Sequence, residues 1–115
     1  MKKLTVEDLD FEKSNGLIPV VVQDWHTLRV LTLAYLNEKA LEKTFETGFA
    51  HYFRRSKNKV MMKGETSGNV QQVMELLIDC DQDAVIFKVK QSGVACHANE
   101  ESCFHYRLGP FNSKQ

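Results

Sequence analysis

The chain has no excess of charge of either sign: fifteen basic residues balance fifteen acidic ones, for a formal net charge of zero. That argues against a general binder of nucleic acid or of an anionic membrane surface, whose attraction needs a surplus of positive charge, and leaves room only for local charged patches. Long apolar runs are missing as well. The most aliphatic stretch, Leu17-Ile18-Pro19-Val20-Val21-Val22, falls far short of the roughly 20 residues a membrane helix requires. The start, Met1-Lys2-Lys3-Leu4-Thr5-Val6-Glu7-Asp8, has two lysines but no apolar segment behind them, so no secretory signal is expected. Cysteine is scarce and odd in number, three in 115 residues. Without a signal, that count predicts reduced thiols in a cytoplasmic protein rather than a disulfide framework. Internal repeats and low-complexity tracts are absent.

What is present is an ordinary globular composition, 43% hydrophobic and 26% charged. A chain of this length is expected to fold as one domain over residues 1–115, since domains typically run to about 100–150 residues. Residues 4–13 mix acidic and apolar positions and predict a short amphipathic helix. Leu17 to Gln23 and Val30 to Leu36 read as strands, with Pro19 demoting the first to an edge. Asn37 as N-cap and Gly48 as the residue past the end delimit a helix over 38–47. Its apolar stripe, Ala40, Leu41, Thr44 and Phe45, is expected to face the core. Phe49 to Arg55 reads as a strand turning at Ser56-Lys57-Asn58-Lys59. Over 69–79 the pattern is double: Val70, Gln72, Met74, Leu76, Ile78 and Cys80 alternate, but Val70, Val73 and Leu76 also fit helical spacing. A strand is favoured, because 84–90 completes a hairpin. Residues 94–115 read as loop with a short extended piece at Phe104–Arg107. Strands segregated from one main helix predict an α+β fold with a small mixed or antiparallel sheet.

Three constellations carry chemistry. Cys80 lies inside the acidic run Asp79-Cys80-Asp81-Gln82-Asp83, with Cys96 and Cys103 further on. Thiolates are soft ligands that select zinc, and clustered carboxylates are hard ligands that select magnesium or calcium. If 79–83 is extended, the three aspartates share one side and Cys80 the other, and their repulsion would raise at least one carboxyl pKa. An EF-hand is excluded, because its glycine and glutamate positions hold Ala84 and Lys90. Three cysteines are one short of a closed structural zinc site and match a catalytic site with an open position. The deaminase signature is missing. Finally, Arg54, Arg55, Lys57, Lys59 and Lys63 form a basic stretch that runs into Gly64-Glu65-Thr66-Ser67-Gly68-Asn69. The glycines there let backbone N–H groups approach a phosphate, although no P-loop is present. A solvated turn, buried apolar cysteines and a polar hairpin tip are the bland readings of the three. His26, His51 and His105 are weaker candidates.

Taken together, Gly16-Leu17-Ile18-Pro19, Val22-Gln23-Asp24, Leu33-Ala34-Tyr35, Arg55-Ser56, the block Lys63 to Asn69, Asp79 to Asp83, and Gly93 to Cys103 resemble the phosphoribosyl-AMP cyclohydrolase family of histidine biosynthesis. The resemblance runs over about residues 16–107 and, with no further extension, looks like the stand-alone form. It implies hydrolysis of the N1–C6 bond of the adenine ring by a zinc-activated water. It implies one zinc per subunit on Cys80, Cys96 and Cys103, and magnesium on Asp79, Asp81 and Asp83. It also implies an intertwined homodimer whose zinc ligands come from both chains. Arg55, Ser56, Lys63, Glu65, Thr66, Ser67 and Asn69 would hold the substrate, and His97 would move the proton or orient the attacking water. Phe53, Arg54, Met61, Ala98 and Asn99 depart from the family's usual residues. The rival readings are a small zinc-stapled RNA-binding module, stacking bases on Tyr52 and Phe53, and a metal-stapled protein-interaction domain.

Overall fold

The computed structural model describes residues 3–96 and 99–111. Strands β1 (Ile18–Asp24) and β2 (Val30–Leu36) form an antiparallel hairpin and α1 (Glu38–Thr47) follows. A second hairpin comprises β3 (His51–Arg54) and β4 (Lys59–Met62), and a third β5 (Gln71–Ile78) and β6 (Val85–Gln91). The first and third hairpins join through parallel pairing of β1 with β6, giving a mixed sheet in the order β2-β1-β6-β5; β3 and β4 make a separate two-stranded sheet. This is the expected α+β class.

Period-two alternation builds the core. Ile18, Val20 and Val22 on β1 and Phe87 and Val89 on β6 are fully buried, and the register sets Val20 beside Val85 and Val22 beside Phe87. Burying each such side chain is worth about 1.5–3 kcal/mol, and a one-residue slip would turn the whole set to the other face. On β5 a bulge between Val73 and Glu75 resolves the double pattern of the sequence. The extra residue, Met74, brings Val73, Leu76 and Ile78 onto the core side, an i, i+3 spacing that imitates a helix.

The helix ends where its caps place it. Asn37 Oδ1 accepts from the Ala40 N–H at 2.8 Å, and Gly48 adopts φ 80° with its N–H donated to Thr44. Ala40, Leu41 and Thr44 are buried, but Phe45 is 62% exposed. The expected stripe is therefore narrower. The helix seats on β3 and β2, with Thr44 Oγ1 accepting from His51 N–H at 2.9 Å, and Phe45 instead lines an open apolar hollow with Leu4, Val6 and Leu76.

Other expectations are corrected. Residues 4–13 form two 3-10 turns, Val6–Asp8 and Glu12–Ser14, not a helix. Asp8 accepts from the Thr5 N–H at 2.7 Å and closes the first turn on itself; Asn15 at φ 56° ends the second. Asp10 N–H donates to the Gln82 carbonyl at 2.8 Å, pinning this segment on the β5–β6 turn. Pro19 lies on a central strand rather than an edge, which is tolerated because pairing with β6 begins at Val20. Beyond β6 no strand is found among the described residues, Phe104–Arg107 included.

Candidate active site

The turn between β5 and β6 is curled rather than extended. Asp79 Oδ1 accepts from the backbone N–H groups of Asp83 at 3.0 Å and Ala84 at 3.2 Å, and Gln82 takes φ 63°. The curl still draws Asp79, Asp81 and Asp83 together, with one oxygen from each within 4.8 Å of the others. An all-oxygen set of this kind fits magnesium or calcium. One cation of the chain already reaches it: Lys13 Nζ stands 2.9 Å from Asp83 Oδ2. That hydrogen bond holds the Asp83 carboxyl below the usual carboxylate range and raises Lys13. Asp83 is therefore not a carboxyl whose pKa the cluster raises.

The three thiols do not converge as the carboxylates do, and Cys80 and Cys103 lie at opposite edges of the sheet. Ser102 is buried and donates its hydroxyl to the Val30 carbonyl at 2.7 Å, and Cys103 N–H donates to Leu31 at 2.7 Å. These bonds, with Arg29 to Glu101 at 2.9 Å, fasten Cys103 to the start of edge strand β2. Cys80 follows the end of the opposite edge strand, β5. Three interstrand steps of about 4.8 Å put roughly 14 Å between those edges. Cys96 is buried, and its N–H donates to the Glu100 carbonyl at 3.2 Å. Among the described residues the aspartates are the only trio of potential metal ligands that converges. The thiols are the right donors for zinc, but one chain does not gather them. His97 lies outside the described residues.

Residues 63–69 form a tight loop. Lys63 N–H donates to Ala50 at 3.0 Å, Gly68 N–H to Gly64 at 2.8 Å, and Asn69 N–H to Ser67 Oγ at 3.2 Å. At Gly64, φ 80°, a Cβ would overlap the Asn69 carbonyl, and at Gly93, φ 76°, it would overlap the Asn69 side chain. The Asn69 carbonyl also accepts from Gln91 Nε2 at 3.1 Å. Gln91 Oε1 in turn takes Gln71 Nε2 at 2.7 Å, and Gln71 takes the Tyr52 hydroxyl. The loop thus hangs on a buried polar chain. Lys63, Glu65, Thr66 and Ser67 line a cavity of about 200 Å³ with Arg54 and Tyr52.

Arg55 is not among those lining residues. Its guanidinium carbon lies 4.2 Å from the centroid of the Tyr35 ring, a cation–π seat that the sequence does not announce. Ser56 is exposed in the β3–β4 turn. Tyr52 is only 6% exposed, its ring 6.1 Å from Phe87. A base-stacking platform of Tyr52 and Phe53 is therefore ruled out.

Residues 32–105 match the phosphoribosyl-AMP cyclohydrolase family. The chain belongs to it. It is 54% identical over 104 residues to a phosphoribosyl-AMP cyclohydrolase of Nitrosopumilus maritimus, covering 90% of this chain and 96% of that one. Identity is again 54% over 101 residues to the enzyme of that name from Archaeoglobus fulgidus, covering 88% and 93%. A histidine biosynthesis bifunctional protein of Pyrococcus furiosus is 54% identical over 90% of this chain and 49% of its own length. Membership makes the chain an enzyme, a hydrolase acting on a C–N bond. The matched span contains the cysteines, the aspartates, Arg55 and the 63–69 loop.

Proposed function

We propose that the chain hydrolyses the N1–C6 bond of the adenine ring of phosphoribosyl-AMP in histidine biosynthesis, and that it does so as a homodimer. The observation that carries the hydrolysis is the family match, which takes in every metal-binding, substrate-binding and proton-transfer residue named below. Cys80 of one chain, with Cys96 and Cys103 of a second, would hold zinc. The separation of Cys80 from Cys103 within one chain favours that division. An apolar row also favours it: Leu33 pairs with Val21, Val21 with Ile86, and Ile86 with Leu77. The row crosses the sheet on the face away from the core, and Leu33 is 47% exposed. A second copy would cover it.

Zinc bound in such a site would lower the pKa of its water toward about 7 and so supply hydroxide near neutral pH. The chain's own residues do the rest. Asp79, Asp81 and Asp83 would hold magnesium. Lys63, Glu65, Thr66, Ser67 and Asn69, with Arg55 and Ser56, bind and orient the doubly phosphorylated substrate. His97, adjacent to Cys96, carries the proton between water and ring nitrogen. No helix among the described residues is long and apolar enough to cross a membrane, and we place the reaction in the cytoplasm.

Phosphoribosyl-AMP turnover followed by ultraviolet absorbance tests the reading. Turnover should stop on chelation and return with zinc. Absence of turnover by the zinc- and magnesium-loaded protein would refute it.

A further inference from the structure

One strongly charged feature lies outside this assignment except at Glu65: a groove of about 550 Å³ between the first turn of α1 and the β3–β4 hairpin, whose polar lining is Asn37, Lys39, Lys43, His51, Asn58, Lys59 and Glu65. Three ammonium groups there face a single carboxylate. Lys39 and Lys59 form no ion pair among the described residues, and Lys43 has only an exposed partner, Glu46, at 3.8 Å. Asn37 spends its carbonyl oxygen on the helix cap, which leaves its amide hydrogens as donors beside the positive end of the helix.

His51 adds an independent observation. The residue is 8% exposed, and its Nδ1 lies 2.9 Å from the Phe49 carbonyl. A carbonyl only accepts, so Nδ1 carries the hydrogen and the ring is held in one orientation. No described residue hydrogen-bonds Nε2. Nor is Nε2 sealed away, since no fully enclosed side-chain nitrogen goes without a partner; the ring lines the groove. A histidine more than nine-tenths buried therefore has one nitrogen fixed by the backbone and the other free for a ligand, among lysines.

We propose that this groove is a phosphomonoester subsite, in which Lys39, Lys43 and Lys59 neutralise the anion, the Asn37 amide donates to one of its oxygens and His51 Nε2, the accepting nitrogen of the ring, takes the hydrogen of its P–OH. The assignment to substrate rests on the cyclohydrolase reading, under which the ligand carries two phosphates far apart. Met62 and Glu65 line both this groove and the cavity of the 63–67 loop, so one extended ligand reaches from one to the other.

The test uses ribose 5-phosphate as probe and ribose as the uncharged control, read by NMR of the His51 imidazole nitrogens and by calorimetry. Ribose 5-phosphate should shift the His51 signals saturably and ribose should not. The surface double variant Lys39→Gln/Lys59→Gln should weaken binding by at least about tenfold, as lost charge-assisted hydrogen bonds imply. It should raise KM for phosphoribosyl-AMP similarly and hold kcat within about twofold. Unmoved His51 signals, or a double variant that binds ribose 5-phosphate like the wild type, would overturn the subsite. Turnover with an unchanged KM in the double variant overturns the subsite and leaves the enzyme assignment standing. Ribose 5-phosphate bound at His51 without any turnover upholds the phosphate site and removes the enzyme assignment instead.

Discussion

Cys80 and Cys103 stand at opposite edges of the same four-stranded sheet, the first just past the end of β5 and the second tied by its N–H to Leu31 of β2. Strand order alone keeps them apart. Bringing them onto one ion within a chain would require breaking the β1–β6 ladder or the bonds of Ser102 and Cys103 to β2. Two chains arranged face to face avoid both. In such an arrangement zinc binding and dimerisation would stabilise one another.

Replacing Cys80, Cys96 or Cys103 by Ser should accordingly remove the zinc, which is expected at about one ion per chain. Cys80→Ser should also loosen the dimer in sedimentation velocity. Full zinc by elemental analysis in all three variants would contradict the ligand assignment.

The ion pair of Lys13 with Asp83 gives a pH prediction. The folded-state pKa of Asp83 is lowered, so its contribution to stability is present above the unfolded carboxylate value of about 3.9 and is lost as pH falls through the folded one. Lys13 is raised, so its contribution is complete below about 10.4 and is lost as pH rises through the folded value. Lys13→Met should therefore lower the thermal midpoint slightly at pH 7 and leave it unchanged near pH 2. The same variant should bind magnesium more tightly, because the metal no longer displaces a tethered ammonium. Weaker magnesium binding in calorimetry would show that Lys13 is not a competitor.

Asn69 is held between two glycines, and that predicts an asymmetry within one loop. Gly64→Ala and Gly93→Ala meet both a positive φ and an overlap with Asn69, whereas Gly68→Ala meets a positive φ in open space. The first two should each cost about 1–3 kcal/mol or more in urea unfolding, and Gly68→Ala clearly less. Equal losses in all three would mean that backbone conformation, not contact with Asn69, sets the loop.

Tyr35 should matter to substrate binding through Arg55. Cation–π contacts are worth about 0.5–2 kcal/mol, so Tyr35→Leu should raise KM by between about twofold and thirtyfold with kcat retained. Tyr35→Phe, which keeps the ring face, should restore KM. A Phe variant as impaired as Leu would assign the effect to the hydroxyl.

Features set by neighbours in sequence were legible in advance. The limits of α1 follow from Asn37 and Gly48, the strands β1, β2 and β6 from alternation, and the converging carboxylates from D-x-D-x-D spacing. Strand β4 was not legible, because Lys59-Val60-Met61-Met62 is short and continuous with a basic turn. The bulge at Met74 made β5 ambiguous by shifting its alternation midway. Phe45 fits the helical stripe, but only the helix's seat on β3 decides that the ring overhangs. Within the site, Lys13 beside Asp83 and Tyr35 under Arg55 are contacts between distant segments, and His51 shares a groove with three lysines of other elements. Composition offers no signal for them beyond an aromatic, a histidine and unpaired lysines.

The most direct test of the account is complementation between two inactive proteins, Cys80→Ser and Cys96→Ser, unfolded together and refolded with zinc. If the thiolates of each site come from two chains, a mixed dimer holds one intact site and one doubly damaged one. Half of a random mixture is mixed dimer, so phosphoribosyl-AMP turnover should return to about a quarter of the wild-type value. A mixture as inactive as either parent, with dimers formed and zinc supplied, would contradict the shared site.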